Sequence, residues 1–246
     1  MITTFSLNGI AFSALNGGSA FTFTNSISLF IKSNNTEEIT AIWHKLKVHG
    51  TILMDLGEYP WSKKYGWVKD KYGLSWQLFF DENPLQILPA LLFVGNQFGN
   101  AEEAINLYKS IFKDSKINFI NRFEDGNEAT KGKIQYAEFT LANQKFITME
   151  SPMEHDFGFN EAFSFVIHCK NQDEVDYYWN SFIENGGKES QCGWLKDKYG
   201  ISWQVVPNLL IELMNDKDKE KAKRVTNAMM QMKKIECKKL KEAYHK

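Results

Sequence analysis

The sequence predicts an α+β fold of tandem strand–helix–strand units followed by a helical tail. Three observations carry that prediction. One twelve-residue string occurs twice with conservative changes, six of the seven tryptophans fall into matched pairs, and apolar spacing alternates between strand and helix periods in the same order around each copy.

The repeat organises the chain. Residues 66–77 read GWVKDKYGLSWQ and residues 193–204 read GWLKDKYGISWQ, differing only by the apolar swaps Val68/Leu195 and Leu74/Ile201. Upstream, FTNSISLFI (23–31) aligns with FNEAFSFVI (159–167), IWHKL (42–46) with YWNSF (178–182), and FSLNGIAFSALN (5–16) with FTLANQKFITME (139–150). The tryptophan pairs are Trp43/Trp179, Trp67/Trp194 and Trp76/Trp203. Trp61 stands alone in TILMDLGEYPWSKKY (51–65), where a longer loop is expected in the first copy. The second copy begins near Leu88 and runs through residue 138 before Phe139, whereas the first reaches the matching Phe5 at once. The first copy is therefore expected to lack a strand, a helix and a second strand. A sheet short of a strand exposes unpaired backbone groups, so another strand, from a second chain, is expected to cover that edge. The expected division is a truncated first unit over 1–82, a linker at 83–87, a complete unit over 88–207 and a helical tail over 208–246.

Within the complete copy the elements follow in order. LPALLFV is a short apolar run of the buried-strand kind. Asn100 then precedes AEEAINLYKSIF, whose Ala101, Ala104, Ile105, Tyr108, Ile111 and Phe112 recur at helical spacing behind acids in the first turn. Strands are predicted at 116–122, 133–141 and 145–150, the last two joined by a turn at 142–144. A strand over 162–168 leads to a helix opening near Asn171, running through Val175, Tyr178, Trp179 and Phe182, and stopping at Asn185-Gly186-Gly187. A hairpin closes the copy: strand 193–196, turn Asp197–Gly200, and strand 201–206 ended by Pro207. Beyond it, Leu209, Leu210, Ile211, Met214, Met229, Met230 and Met232 give the tail an apolar stripe, with Glu220, Glu236 and Glu242 among its lysines.

Composition narrows the function classes. Apolar residues make up 43% and charged residues 24%, the proportions of an ordinary globular protein. A formal charge of −1 gives no electrostatic case for nucleic acid or an anionic membrane surface, so neither is expected as a partner. The start MITTFSLNG lacks the basic and apolar regions of a secretory signal. Cys169, Cys192 and Cys237 have no CxxC spacing, which fits reduced thiols and a cytoplasmic location. Aromatic residues at 14% suit wide packed sheet faces.

The strings FGNAEEAINLYKSIF, FNEAFSFVIHCKNQDEVDYYW, CGWLKDKYGISWQVVP and MQMKKIECKKL resemble the PhnB-like family, also labelled 3-demethylubiquinone-9 3-methyltransferase. Through it the chain resembles the glyoxalase/bleomycin-resistance/dioxygenase (vicinal oxygen chelate) superfamily. That resemblance implies tandem βαβββ units forming glyoxalase-like curved mixed sheets, a cup that holds a small molecule and, usually, a divalent metal. It also implies metal ligands of His or Gln type on first strands and Glu near the end of last strands. Carried onto this chain, Gln204 and Gln77 stand at last-strand positions and Glu150, matched by Asn16, at the other. Leu91, Ser164 and Ser28 fall where first-strand ligands belong.

A borderline divalent ion wants three or four imidazole, carboxylate or thiolate donors, and this set is too poor. No metal is therefore expected; were one bound, Glu150, His168 and Gln204 would hold it with water. His168 is matched by Lys32 in the first copy. The expected substrate-binding residues are Glu150, Ser164 and Gln204, with Trp194 at the mouth, and no catalytic residue is assigned. Trp76, Trp179 and Trp203 are expected in the core, and Asp70 and Asp197 in tight turns. Cys192, matched by Tyr65, has no neighbouring base and is not expected to be a nucleophile. The expected function is small-molecule binding, with a homodimer as the expected assembly. Three alternatives stand beside it: a metal-dependent lyase, isomerase or dioxygenase; a non-catalytic resistance-type binder; and the methyltransferase of the family label. The last would need a Gly-rich phosphate-type loop, and GlyAsnGlnPheGly at 95–99 lacks the GxGxxG order.

Overall fold

The computed structural model describes residues 2–124 and 128–246. It divides into two compact units, Met1–Gly158 and Phe159–Lys246.

The first unit opens with a hairpin, β1 (Ile2–Leu7) and β2 (Ile10–Leu15), which forms a two-stranded sheet of its own. Two modules follow. The first holds β3 (Ile27–Ser33), α1 (Thr36–Leu46), β4 (Thr51–Tyr59), β5 (Ser62–Lys69) and β6 (Ser75–Phe80). The second holds β7 (Gln86–Phe93), a 3-10 turn, α2 (Ala101–Ile111), β8 (Lys116–Arg122), β9 (Ile134–Leu141) and β10 (Gln144–Glu150). Both read βαβββ. They share one eight-stranded mixed sheet in the order β4-β5-β6-β3-β7-β10-β9-β8. Within each module the first and last strands run parallel, and the modules join where β3 meets β7 antiparallel.

The second unit is one further module: β11 (Ser164–Cys169), α3 (Gln172–Glu184), β12 (Lys188–Glu189), β13 (Trp194–Lys196) and β14 (Ser202–Pro207), in the sheet order β11-β14-β13-β12. The tail adds α4 (Asn208–Met214), α5 (Lys219–Met229) and α6 (Cys237–His245).

Local chemistry explains the elements. Asn35 accepts the backbone N–H groups of Glu37 and Glu38 to start α1, and Asn171 accepts that of Glu174 to start α3. The helix α2 buries Ala101, Ala104, Ile105, Tyr108 and Ile111, the stripe read from sequence. Gly186, at φ +91°, supplies the left-handed residue that stops α3. The repeated turn works identically in both copies. Asp70 accepts the N–H groups of Tyr72 and Leu74 and the indole N–H of Trp76, while Asp197 does the same for Tyr199, Ile201 and Trp203. Each aspartate thereby ties its turn to a core tryptophan, with Trp76 at 8% and Trp203 at 3% exposure.

The structure departs from the sequence reading in three places. Residues 51–65 are not a loop: β4 and the first half of β5 occupy them as a long irregular hairpin, with Tyr59 stacked on Trp61 at 5.1 Å. The compact units do not follow the expected 1–82, 83–87 and 88–207 division, because the β3–β7 seam binds part of the second copy to the first. The tail is three short helices around Leu210, Val225, Met232, Ile235 and Leu240, so Ile211 and Met230, read as part of its stripe, stay exposed. Among the described residues no helix is long and apolar enough to cross a membrane.

Candidate functional site

In the first unit, one face of the eight-stranded sheet curls around a packed interior. Strands β3 and β9 lie three spacings apart, about 14 Å along a flat sheet. Even so, Lys32 Nζ on β3 meets Glu138 Oε1 on β9 at 2.6 Å. Side chains standing perpendicular to a flat sheet would not meet across that span, so the contact fits a curved sheet. Phe30, Tyr65, Leu88, Ala90 and Ile147 form the buried floor, with Met54, Tyr59, Trp67, Phe79, Tyr136 and Met149 packed on it. Strand alternation then puts Leu91 on the opposite face, where it is 2% exposed. The bowl is filled by its own side chains.

Two polar groups interrupt that filling. The first is a chain of hydrogen bonds: Tyr65 OH donates to Gln77 Oε1 at 2.7 Å, and Gln77 Nε2 donates to Ser28 Oγ at 2.9 Å. Gln77 and Ser28 are sealed, at 2% and 1% exposure. Burial pushes the Tyr65 phenol well above its ordinary range, which keeps it protonated as a donor. The second is an ion-pair cluster in which Lys32 Nζ bonds Asp81 Oδ2 at 2.5 Å as well as Glu138, and Tyr136 OH donates to Glu138 at 2.6 Å. Burial opposes the charge on Lys32 and on Asp81, but their mutual bond outweighs it with help from Glu138 and Asn83. The lysine titrates higher than usual and the aspartate lower. A shallow depression of about 450 Å³ lies beside Asp81, walled by Trp61, Lys63, Phe79 and Phe80 among others.

The second unit presents the same strands in a different state. Helix α3 covers one face, where Trp203 packs 4.9 Å from Phe182 and 5.3 Å from Phe165. The other face carries Ser164, Val166 and His168 on β11, Ser202 and Gln204 on β14, and Trp194 paired with Gln204 across β13. Gln204 Nε2 donates to Ser164 Oγ at 2.8 Å, repeating the Gln77–Ser28 bond. Here the third member is missing. Cys192 matches Tyr65 in the sequence but lies in a turn at φ +59°, outside β13, and among the described residues no donor reaches Gln204 Oε1. Two further differences accompany it. Trp67 donates its indole N–H to Ser75 at 2.7 Å, whereas the matching Ser202 hydroxyl is buried without a partner among the described residues. Val166 is 42% exposed where its counterpart Phe30 is 2%.

Of the expected pocket residues, the structure brings Ser164, Gln204 and Trp194 together on this face. Glu150 is not with them in the second unit; it belongs to the first, 5% exposed, where it accepts the N–H of Ala101 at 2.9 Å and of Ile134 at 2.7 Å. Both its oxygens are committed, one to the first N–H of α2, where a helix favours negative charge. Alternation places it on the face opposite Ile147 and Met149, so it does not line the bowl.

These facts test the residues against a divalent metal. Glu150 is occupied by backbone, Gln204 is a neutral amide bonded to serine, and His168 is an exposed residue in the other unit from Glu150. Among the described residues no three His, Cys, Asp or Glu side chains gather as a ligand set. The chain's residues do not fit the group. Burial raises the thiol pKa of Cys192 above its ordinary value.

Paired βαβββ modules with first strands joined and a curled mixed sheet define a glyoxalase-fold protein, and glyoxalase I from Zea mays shares that fold at TM-score 0.53 and 14% identity, over 85% of this chain and 77% of that one. The chain belongs to the PhnB-like family described as 3-demethylubiquinone-9 3-methyltransferase, whose model matches residues 1–79 and 85–206. A PhnB protein from Bacillus cereus is 33% identical over 48% of this chain and 95% of its own, at TM-score 0.44. A search of curated proteins gave no match.

Sequence reasoning missed three features. The contrast between Tyr65 and Cys192 was legible as an alignment difference, but not the open acceptor on Gln204. The unpartnered Ser202 had no signal. The Lys32 cluster joins residues 106 apart, and its only trace was a lysine inside an apolar strand.

Proposed function

We propose that the second unit binds a small, uncharged organic molecule on the face formed by Ser164, Val166, Gln204 and Trp194, without a metal. One observation carries this reading: the same glutamine–serine pair is capped by Tyr65 in the first unit and left with an open acceptor in the second. An open amide oxygen beside an exposed valine and an indole suits a ligand with one O–H or N–H donor on a flat apolar body. Such a site follows the usual design of ligand pockets, in which apolar surface supplies affinity and few polar groups set orientation. No residue on this face pairs a base with a nucleophile, which favours binding over catalysis.

The family description names a methyltransferase, and that is the second reading. Against it stand the mixed sheets, which lack the doubly wound parallel order with a Gly-rich loop that such a donor normally occupies. Calorimetry with S-adenosylmethionine is expected to show no binding heat, and saturable heat would restore the methyltransferase.

The binding reading is tested with phenol and benzamide as probes, observed by protein NMR. Shifts are expected at the Val166 methyl, Trp194 indole and Gln204 amide signals, with loss of the first two in Gln204→Leu. Unchanged spectra at saturating probe would sink the proposal.

A further inference from the structure

The repeat puts a lysine at the same point of two modules and gives it an acid in only one. Lys69 on β5 pairs with Ser75 on β6, which pairs with Ser28 on β3, and Lys196, Ser202 and Ser164 repeat that row in the second unit. The turn that enters the first strand is repeated as well. Ser26 N–H donates to Thr24 Oγ1 at 3.4 Å in one copy, and Ala162 N–H donates to Asn160 Oδ1 at 3.0 Å in the other. The middle residues of these turns are Asn25 and Glu161. In the second unit Lys196 Nζ meets Glu161 Oε1 at 2.6 Å. In the first unit a neutral amide stands at the acid's position, and among the described residues Lys69 makes no ion pair.

The exchange leaves more than a bare cation. Ser26, matched by Ala162, is fully buried, and both its hydroxyl and Asn25 Oδ1 are sealed without a hydrogen-bond partner among the described residues. Buried polar groups are normally hydrogen-bonded, so two orphans in adjacent residues need an explanation. One group supplies it. A carboxylate in the place of the Glu161 carboxylate would pair with Lys69 and accept the Ser26 O–H. It would also accept an Asn25 N–H once that amide turns end for end, a change that its near-equal oxygen and nitrogen allow. The position can be reached from solvent, since the side chains of Lys196 and Glu161 stay 35% and 29% exposed in the equivalent pair. One ammonium matched elsewhere by one glutamate calls for a single negative charge, which favours a monocarboxylate over a phosphate dianion.

We infer that Lys69, Ser26 and Asn25 form a binding site in the first unit for the carboxylate of a small organic acid, at the position that the second unit fills with its own Glu161. The site does not depend on the Ser164–Gln204 face, and either can fail without the other.

Protein NMR on the full chain tests it, with sodium acetate titrated against sodium chloride at matched ionic strength. Saturable shifts are expected at the Asn25 side-chain amide, the Ser26 amide and the Lys69 side chain, and none at Lys196, whose acid is built in. Asn25→Glu writes that acid into the first unit. Its acetate shifts at Ser26 and Lys69 are expected to vanish while the parent's far-UV dichroism is kept, and Lys69→Gln should lose the Ser26 shift in the same way. If Asn25→Glu unfolds, Lys69→Gln carries the test. Absence of a saturable acetate response at these residues, or its persistence in either folded variant, overturns the inference. An equal response to inorganic phosphate overturns the assignment to a carboxylate.

Discussion

The two copies differ at the position matched to Tyr65, which is Cys192 in the second. The phenol of the first unit saturates Gln77 and closes the face; Gln204 in the second stays half satisfied. Gln204→Leu, which removes the open amide oxygen, is accordingly expected to abolish probe binding without unfolding the protein. Lys32 sets a different balance. Its side chain is 9% exposed, between Asp81 at 14% and Glu138 at 21%. Lys32→Met strands two carboxylates, and breaking a buried pair in this way costs about 3–5 kcal/mol. The pH dependence follows from the shifts. Asp81 titrates below its unfolded value, so its share of stability is present above that value and lost as pH falls through the folded one. Lys32 titrates above its ordinary 10.5, so its share is complete below that and lost as pH rises through the folded value. Denaturant melts of parent and Lys32→Met should differ most near neutrality and converge toward both extremes. A difference that is flat with pH would remove the cluster as its cause.

At the scale of elements, the repeat makes its own controls. Hairpin β1–β2 matches β9–β10, and both carry the same cross-strand stack: Phe5 on Phe12 at 5.7 Å, Phe139 on Phe146 at 5.3 Å. Yet Phe5 is 45% exposed and Phe139 is 1%, because β9–β10 lies against β7 and α2 while β1–β2 stands as a separate ribbon. An isolated hairpin is at best marginal in water. Hydrogen exchange should therefore leave β9–β10 protected and label β1–β2 almost at once; equal protection would contradict the pairing described. Glu150 offers a second control. Replacing it with alanine removes two bonds to buried backbone N–H groups, and should cost about 2–4 kcal/mol by the usual worth of charged hydrogen bonds while leaving probe binding unchanged. A loss of binding without loss of stability would return Glu150 to the pocket. Helices, caps and the repeated turn were legible in sequence because each is set within a few residues, as Asn35, Asn171 and Asp197 illustrate. Glu150 was misread because its partners, Ala101 and Ile134, are distant, and a carboxylate at a strand end reads the same whether it faces a ligand or a helix.

The whole molecule turns on a choice among equivalent strands. First strand β7 could be joined by β3 or by β11, which align residue for residue and are both apolar, and local pattern cannot rank them. The sequence copies suggested a boundary near residue 82, but the β3–β7 seam crosses it and moves the division to Gly158. Fragments can decide the matter. Residues 1–158 hold all eight strands of the mixed sheet, both its helices and the Lys32 cluster, so this piece is expected to fold alone with one cooperative unfolding transition. Residues 1–82, cut where the repeat suggests, keep β3 but lose β7, exposing the floor residue Phe30 and a full strand edge. That fragment should aggregate or fail to fold. The physical reason is burial: Leu88, Ala90 and Ile147 supply the other side of the floor against which Phe30 and Tyr65 pack, and no element within 1–82 replaces them. A soluble, cooperatively folded 1–82 alongside an unfolded 1–158 would show that the copies, not the seam, set the units.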